Sequence, residues 1–186
     1  MKKYIVLQLS LYIINICQAQ ALSSDTLFWS NNRLTGADFQ QNDQDDKPVP
    51  FVAKSRWLLY FKIVPSTENT SLKVPIVRAV FFPKFSWIKH RAQGNENVLR
   101  HEQLHFDIVE LHARKLRRLL DLLEIVTRKD QKRAVGYAWG INSQLFEMQK
   151  QYDWETSHGS DRAKQVWWVT YIFLQLRELE KYALFN

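Results

Sequence analysis

Residues 101–105 read His-Glu-Gln-Leu-His. On a helix, two histidines four apart leave the same face one turn apart, so both imidazoles can reach a single Zn²⁺ at about 2.1 Å. Glu102 then stands beside the ion rather than on it, placed to take a proton from zinc-bound water and pass it to a leaving group. Zinc suits imidazole nitrogen, and a hydrolytic site keeps one coordination position open. The residues flanking the histidines fit a strict form of the pattern at Leu99, Gln103, Leu104 and Phe106, all uncharged. Asp107 departs from it, standing where an apolar residue is usual.

A catalytic zinc needs a third protein ligand. The downstream candidates are His112, Glu124, Glu147, Asp153, Glu155 and His158. His112 shares the helix of the pair but lies about 10 Å further along its axis, too far to share the ion, and Glu124 is further still. The ligand must therefore come from an element that packs against the first. The stretch 152–159, Tyr-Asp-Trp-Glu-Thr-Ser-His-Gly, ends a second helix, and a short connection returns that end to the pair. His158, just before Gly159, is the expected third ligand, and Glu155 is its main competitor. Asp153, Glu155 and Thr156 are suited to orienting the imidazoles. His158 could alternatively serve the helix C-terminus through its dipole.

Positioning these groups takes strands, then helices. Over 51–64, Trp57, Leu59, Phe61 and Ile63 alternate with Arg56, Leu58, Tyr60 and Lys62, the period of a strand. A second β-rich run covers 72–82, with Val77, Ala79 and Phe81 on one face, and Pro75 suggests an edge or a break near its start. From Val98 to Val126 the apolar period is helical, with Asn95 or Asn97 as the N-cap. A second helical pattern runs from Val135 to Tyr152, and a third from Val166 to Leu184 behind a cap at Ser160 or Asp161. The class is α+β: a small N-terminal sheet followed by three helices, in one domain over 22–186.

The first 21 residues read as an address. Met1-Lys2-Lys3 is basic, Tyr4 to Cys17 is mostly apolar, and Ala19-Gln20-Ala21 offers a small-residue cleavage site. That is the pattern of a secretory signal peptide, too short and interrupted for a membrane span. Its removal takes the net charge from +7 to +5 and leaves no cysteine, so the exported chain relies on its core or a metal. The acidic stretch at Asp43, Asp45 and Asp46 is loop composition, with no glycine to make it a calcium loop. Basic residues at 114, 115, 117, 118, 128, 129, 132 and 133 carry no nucleic-acid-binding module. They read as a solvated face, with room for contact with anionic envelope surfaces.

His101 to Ile108, with Glu110 and Ala113-Arg114, resembles a bacterial family of domains of unknown function. Its members are exported and are described as secreted zinc-dependent proteases of the thermolysin-like zincin superfamily. Tyr152-Asp153, Glu155-Thr156, His158-Gly159, Gln165 and Trp168 are similar to the same family, as are Trp29, Leu34-Thr35 and Asp38-Phe39 near the start. The family often carries Gly where this chain has Leu104, and Trp where it has Gly36. The resemblance implies zinc on His101, His105 and His158, with Glu102 as general base. The expectation built on this is an exported metallohydrolase of the periplasm or the extracellular space, acting on a peptide or protein substrate. Tyr152 or His90 is the residue type that could steady an oxyanion. The rival expectation is an exported binding or scaffold protein with a structural or vestigial zinc site.

Overall fold

The computed structural model describes residues 26–41, 52–69 and 71–184. The predicted signal peptide, its cleavage site and the acidic stretch at 43–46 lie outside the described residues. Five strands, β1 (Leu27–Phe28), β2 (Ala53–Lys54), β3 (Trp57–Pro65), β4 (Lys73–Phe81) and β5 (Trp87–Ile88), precede three helices, α1 (Glu96–Leu120), α2 (Arg128–Glu155) and α3 (Arg162–Glu178). The molecule is α+β with a small antiparallel sheet, as the change of period predicts.

β3 and β4 form an antiparallel hairpin in which Leu59 faces Ala79 and Phe61 faces Val77. β1 extends it on the far side of β4 as far as Val80 and Phe81. β4 is therefore central by strand order, yet its neighbour on that side reaches only its last two residues. Pro75, paired with Ile63, sits where the other edge is open, so its missing N–H leaves no gap in the ladder. β2 and β5 make a separate two-residue pair.

α1 runs through the centre. Asn95 caps it, its side chain accepting from the backbone N–H groups of Asn97 and Val98. The face bearing Leu104, Ile108, Leu111 and Leu116 joins Val77, Ala79 and Phe81 of the sheet in one core with Ala138, Ile141 and Leu145 of α2 and Trp168 and Ile172 of α3. Burying each such aliphatic side chain is worth about 1.5–3 kcal/mol. The helix ends at Leu120, six residues before the periodicity suggests. Ile125 leaves the helical path to bridge Lys73 at the start of β4, whose N–H donates to the Ile125 carbonyl at 2.9 Å. Burying Ile125 there outweighs another helical turn, and Leu122 is left in solvent. Thr127 and Asp130 form a reciprocal capping box that starts α2. Asp161 caps α3 by accepting from the N–H of Lys164.

The basic run is not uniformly solvated. Arg114 donates to Glu110 at 2.9 Å and to the carbonyl of Leu176 at 2.7 Å; Arg117 donates to Glu110 at 2.8 Å and to the carbonyl of Tyr182. These two guanidinium groups tie α1 to the C-terminal turns. Among the described residues, no helix is long and apolar enough to cross a membrane.

Candidate metal centre

His101 and His105 lie on α1 and turn toward the last turns of α2, which returns antiparallel beside it. Asp153 meets them there. Its Oδ1 lies 3.2 Å from Nε2 of His101 and 3.0 Å from Nε2 of His105, and the two Nε2 atoms are 3.2 Å apart. Donor atoms on a tetrahedral ion at about 2.0–2.1 Å stand about 3.3 Å from one another. The three separations match that triangle, and this buried His-His-Asp group could hold a metal ion.

The protons are arranged to suit. Nδ1 of His105 is 2.5 Å from Oε1 of Gln149, whose Nε2 donates back to the His105 carbonyl at 2.8 Å. Turning that amide over would set donor against donor and oxygen against oxygen, so its orientation is fixed. Nδ1 of His101 lies 3.3 Å from Oε1 of Gln165, an oxygen that also accepts from the Tyr152 hydroxyl at 2.8 Å. An amide oxygen only accepts, so Nδ1 of His105 carries the hydrogen and its neutral ring presents a bare Nε2 to the shared point; with the Gln165 oxygen turned to His101, that ring does the same. The buried Oδ1 of Asp153 has no hydrogen bond of ordinary geometry. Two bare nitrogens and a carboxylate oxygen in mutual contact repel one another unless a cation lies among them.

The electrostatics of the group point the same way. Burial alone would raise the Asp153 carboxyl, but the close imidazoles of His101 and His105 outweigh it and hold it well below the usual carboxylate range. Burial alone would lower His105; the Asp153 and Glu102 carboxylates and Gln149 outweigh it and raise its pKa. Metal ligands must be deprotonated, so metal and proton compete for such a donor set. Burial keeps the Tyr152 phenol protonated far above its ordinary range.

Glu102 sits one residue along from His101, on the cleft side. Its Oε2 accepts from the backbone N–H of Ser55, just past β2, at 3.0 Å. The cleft over the group has a volume of about 890 Å³, with walls from β2, the start of β3, the first turns of α1, the last turns of α2 and the turn before α3. Trp57 and Phe146, with ring centroids 5.6 Å apart, and Val98 give it an apolar side.

The sequence candidates separate clearly. His101, Glu102 and His105 come together. His158 lies at the rim, with Nδ1 3.7 Å from Oδ1 of Asp153 and a largely exposed side chain, outside the close triangle. The reason is the path of the chain. α2 ends at Glu155, and Ser157, His158 and Gly159 all take left-handed backbone, with φ of 48°, 53° and 82°. That run brings Gly159, rather than the His158 side chain, against His101. A Cβ at Gly159 would stand 3.0 Å from Nδ1 of His101, so glycine serves both the backbone angle and the close approach. Glu155 is engaged elsewhere, accepting from Trp168 Nε1 at 3.0 Å and from Gln151 Nε2 at 2.7 Å. Buried His112 donates to the carbonyl of Ile108, outside the site. The Tyr152 hydroxyl is turned to Gln165, and His90 does not line the cleft.

Asp107, out of place in an apolar pattern, faces away from the metal group. Its Oδ1 accepts from Trp29 Nε1 at 2.8 Å and Gln103 Nε2 at 2.7 Å, and Gln103 Oε1 accepts from the N–H of Leu34 at 2.7 Å. The N-terminal segment is thereby fastened along the back of α1. Sequence reasoning missed Gln149 as an orienting group. Its spacing was the available signal: it precedes Asp153 by four residues and so shares its helical face.

No family model, curated protein or solved structure matches the chain. The functional reading therefore rests on the residues and their geometry.

Proposed function

We propose that this chain is an exported zinc-dependent hydrolase of zincin type, acting on peptide bonds. The observation that carries the reading is the triangle of His101 Nε2, His105 Nε2 and Asp153 Oδ1 at 3.0–3.2 Å, with the Glu102 carboxylate beside it in an open cleft. His101, His105 and Asp153 would hold the ion, and the bare nitrogens and carboxylate are the donor set that zinc accepts in hydrolases. Bound there, zinc would polarise a scissile carbonyl and make water a nucleophile near neutral pH.

The chain's own residues do the rest. Gln149 and Gln165 hold the imidazole tautomers. Glu102, with Oε2 fixed by the Ser55 N–H, takes a proton on Oε1 and returns it to the leaving amine. His158 at the rim is positioned to donate to an oxyanion once the substrate carbonyl is in place.

The test is a pair of substitutions in the full chain. Glu102→Gln should retain stoichiometric zinc and lower peptide hydrolysis by about 10²–10⁴-fold, the usual worth of a general base. Asp153→Ala should lower zinc affinity by roughly a hundredfold or more, whereas His158→Ala should leave most of the metal bound. Zinc retained by Asp153→Ala and lost from His158→Ala would move the third ligand to the rim. Stoichiometric zinc in a wild-type protein that cleaves no peptide would favour the scaffold reading.

A further inference from the structure

Resting on that hydrolase reading, we propose that the cleft selects acidic peptide segments, with carboxylate side chains of the substrate held by Lys54, Lys150 and Arg162, which line it from three different elements. Among the described residues, the carboxylates lining the cleft are Glu102 and Asp153, both engaged at the metal group. With a divalent ion bound, those two acids offset its charge, and the rim sets the sign of the field that a substrate meets.

The rim is cationic from three separate elements. Lys54 is exposed on β2, one residue before the N–H that holds Glu102. Arg162 is exposed at the first position of α3, three residues beyond the glycine packed on His101. Lys150 stands on α2 one turn before Asp153. Glu147 pairs with it at 2.8 Å and partly neutralises it, so Lys54 and Arg162 carry most of the field. Asp161, next to Arg162, caps α3 and does not line the cleft. An arginine and two lysines around an apolar wall match a segment that carries carboxylates on either side of an apolar residue. Exposed ion pairs are individually weak, and two or three together favour an acidic over a neutral segment roughly tenfold at low salt.

The experiment uses the full-length Glu102→Gln chain loaded with zinc. Identically labelled peptides of one length carry Glu, Ala or Lys on both sides of a central Leu, and binding is read by fluorescence anisotropy. The Glu peptide should bind about tenfold more tightly than the Ala peptide and more tightly still than the Lys peptide, and the difference should shrink as salt rises. Reversing the rim with Lys54→Glu and Arg162→Glu should invert the order. The same reversal at Arg128 and Lys129, about 30 Å away at the start of α2, should leave it unchanged. Equal binding of the three peptides, no binding of the Glu peptide, or an equal effect of the remote pair would overturn the proposal. Wild-type cleavage of all three with one kcat/KM would overturn it while leaving the hydrolase reading intact. The expected ranking in a wild-type protein that cleaves none of them would sink the hydrolase and leave acidic docking standing.

Discussion

The two long sides of α1 make opposite use of buried polar groups. Toward the cleft, His101 and His105 bring bare nitrogens against a carboxylate oxygen that lacks an ordinary hydrogen bond. Toward the N-terminal segment and the C-terminal turns, Gln103, Asp107, Glu110 and Arg114 are joined in bonds of 2.7–2.9 Å that the chain itself supplies, with Arg117 Nε beside them left without a hydrogen-bond partner. Close-packed interiors satisfy their polar atoms, because a buried unpaired group costs about 1–3 kcal/mol. The side that holds itself together is the scaffold. The side left short of a cation is the one that could hold an external ion.

That contrast can be broken most forcefully at Glu110. Glu110→Ala strands the Arg114 and Arg117 guanidinium groups in the interior and should cost about 3–5 kcal/mol of stability, read from the denaturant midpoint. Zinc content per folded molecule should stay at the wild-type level. A loss of metal as large as the loss of stability would show that the two sides are not independent.

His112 sharpens the comparison through pH. It is the third histidine of α1, turned into the core, and burial lowers its pKa from the ordinary 6.5 to about 4. The unfolded chain therefore binds a proton that the folded chain refuses. Stability is fully present above about pH 6.5 and falls as the pH drops toward 4, by at most about 3 kcal/mol. His112→Gln should flatten that acid limb of urea denaturation measured against pH. An unchanged limb would assign the acid sensitivity to other groups.

The smallest effect is at the orienting amide. Gln149→Ala should leave the fold intact and weaken zinc binding by about 10–100-fold, measured by competition with a chromogenic chelator. Unaltered affinity would remove Gln149 from the positioning of His105.

Much of the scaffold was legible because its signals are local. The alternation around Leu59 and Ala79, the helical period through Ile108, and the cap at Asp161 each depend on near neighbours. The helix boundary at Leu120 was not legible, because it depends on Ile125 meeting Lys73 at the other end of the fold. The metal group was half legible. His101-Glu102 and His105 follow from one helix, whereas the choice between Asp153 and His158 depends on where α2 stops and which way three left-handed residues turn the chain. Backbone sign at Ser157 and His158 leaves no mark in residue type, since neither is glycine. Gln149 was obscured for another reason: a glutamine on a long polar helix reads as solvated until the helix is docked.

The single hydrogen bond from Ser55 to Glu102 has a consequence for how the site can be tuned. It couples the orientation of a helical carboxylate to the placement of a two-residue strand. A small shift of that strand would re-aim the carboxylate without touching His101, His105 or Asp153. In the proposed hydrolase, substitutions confined to the short ribbon that β2 makes with β5 would therefore alter turnover while leaving metal affinity constant.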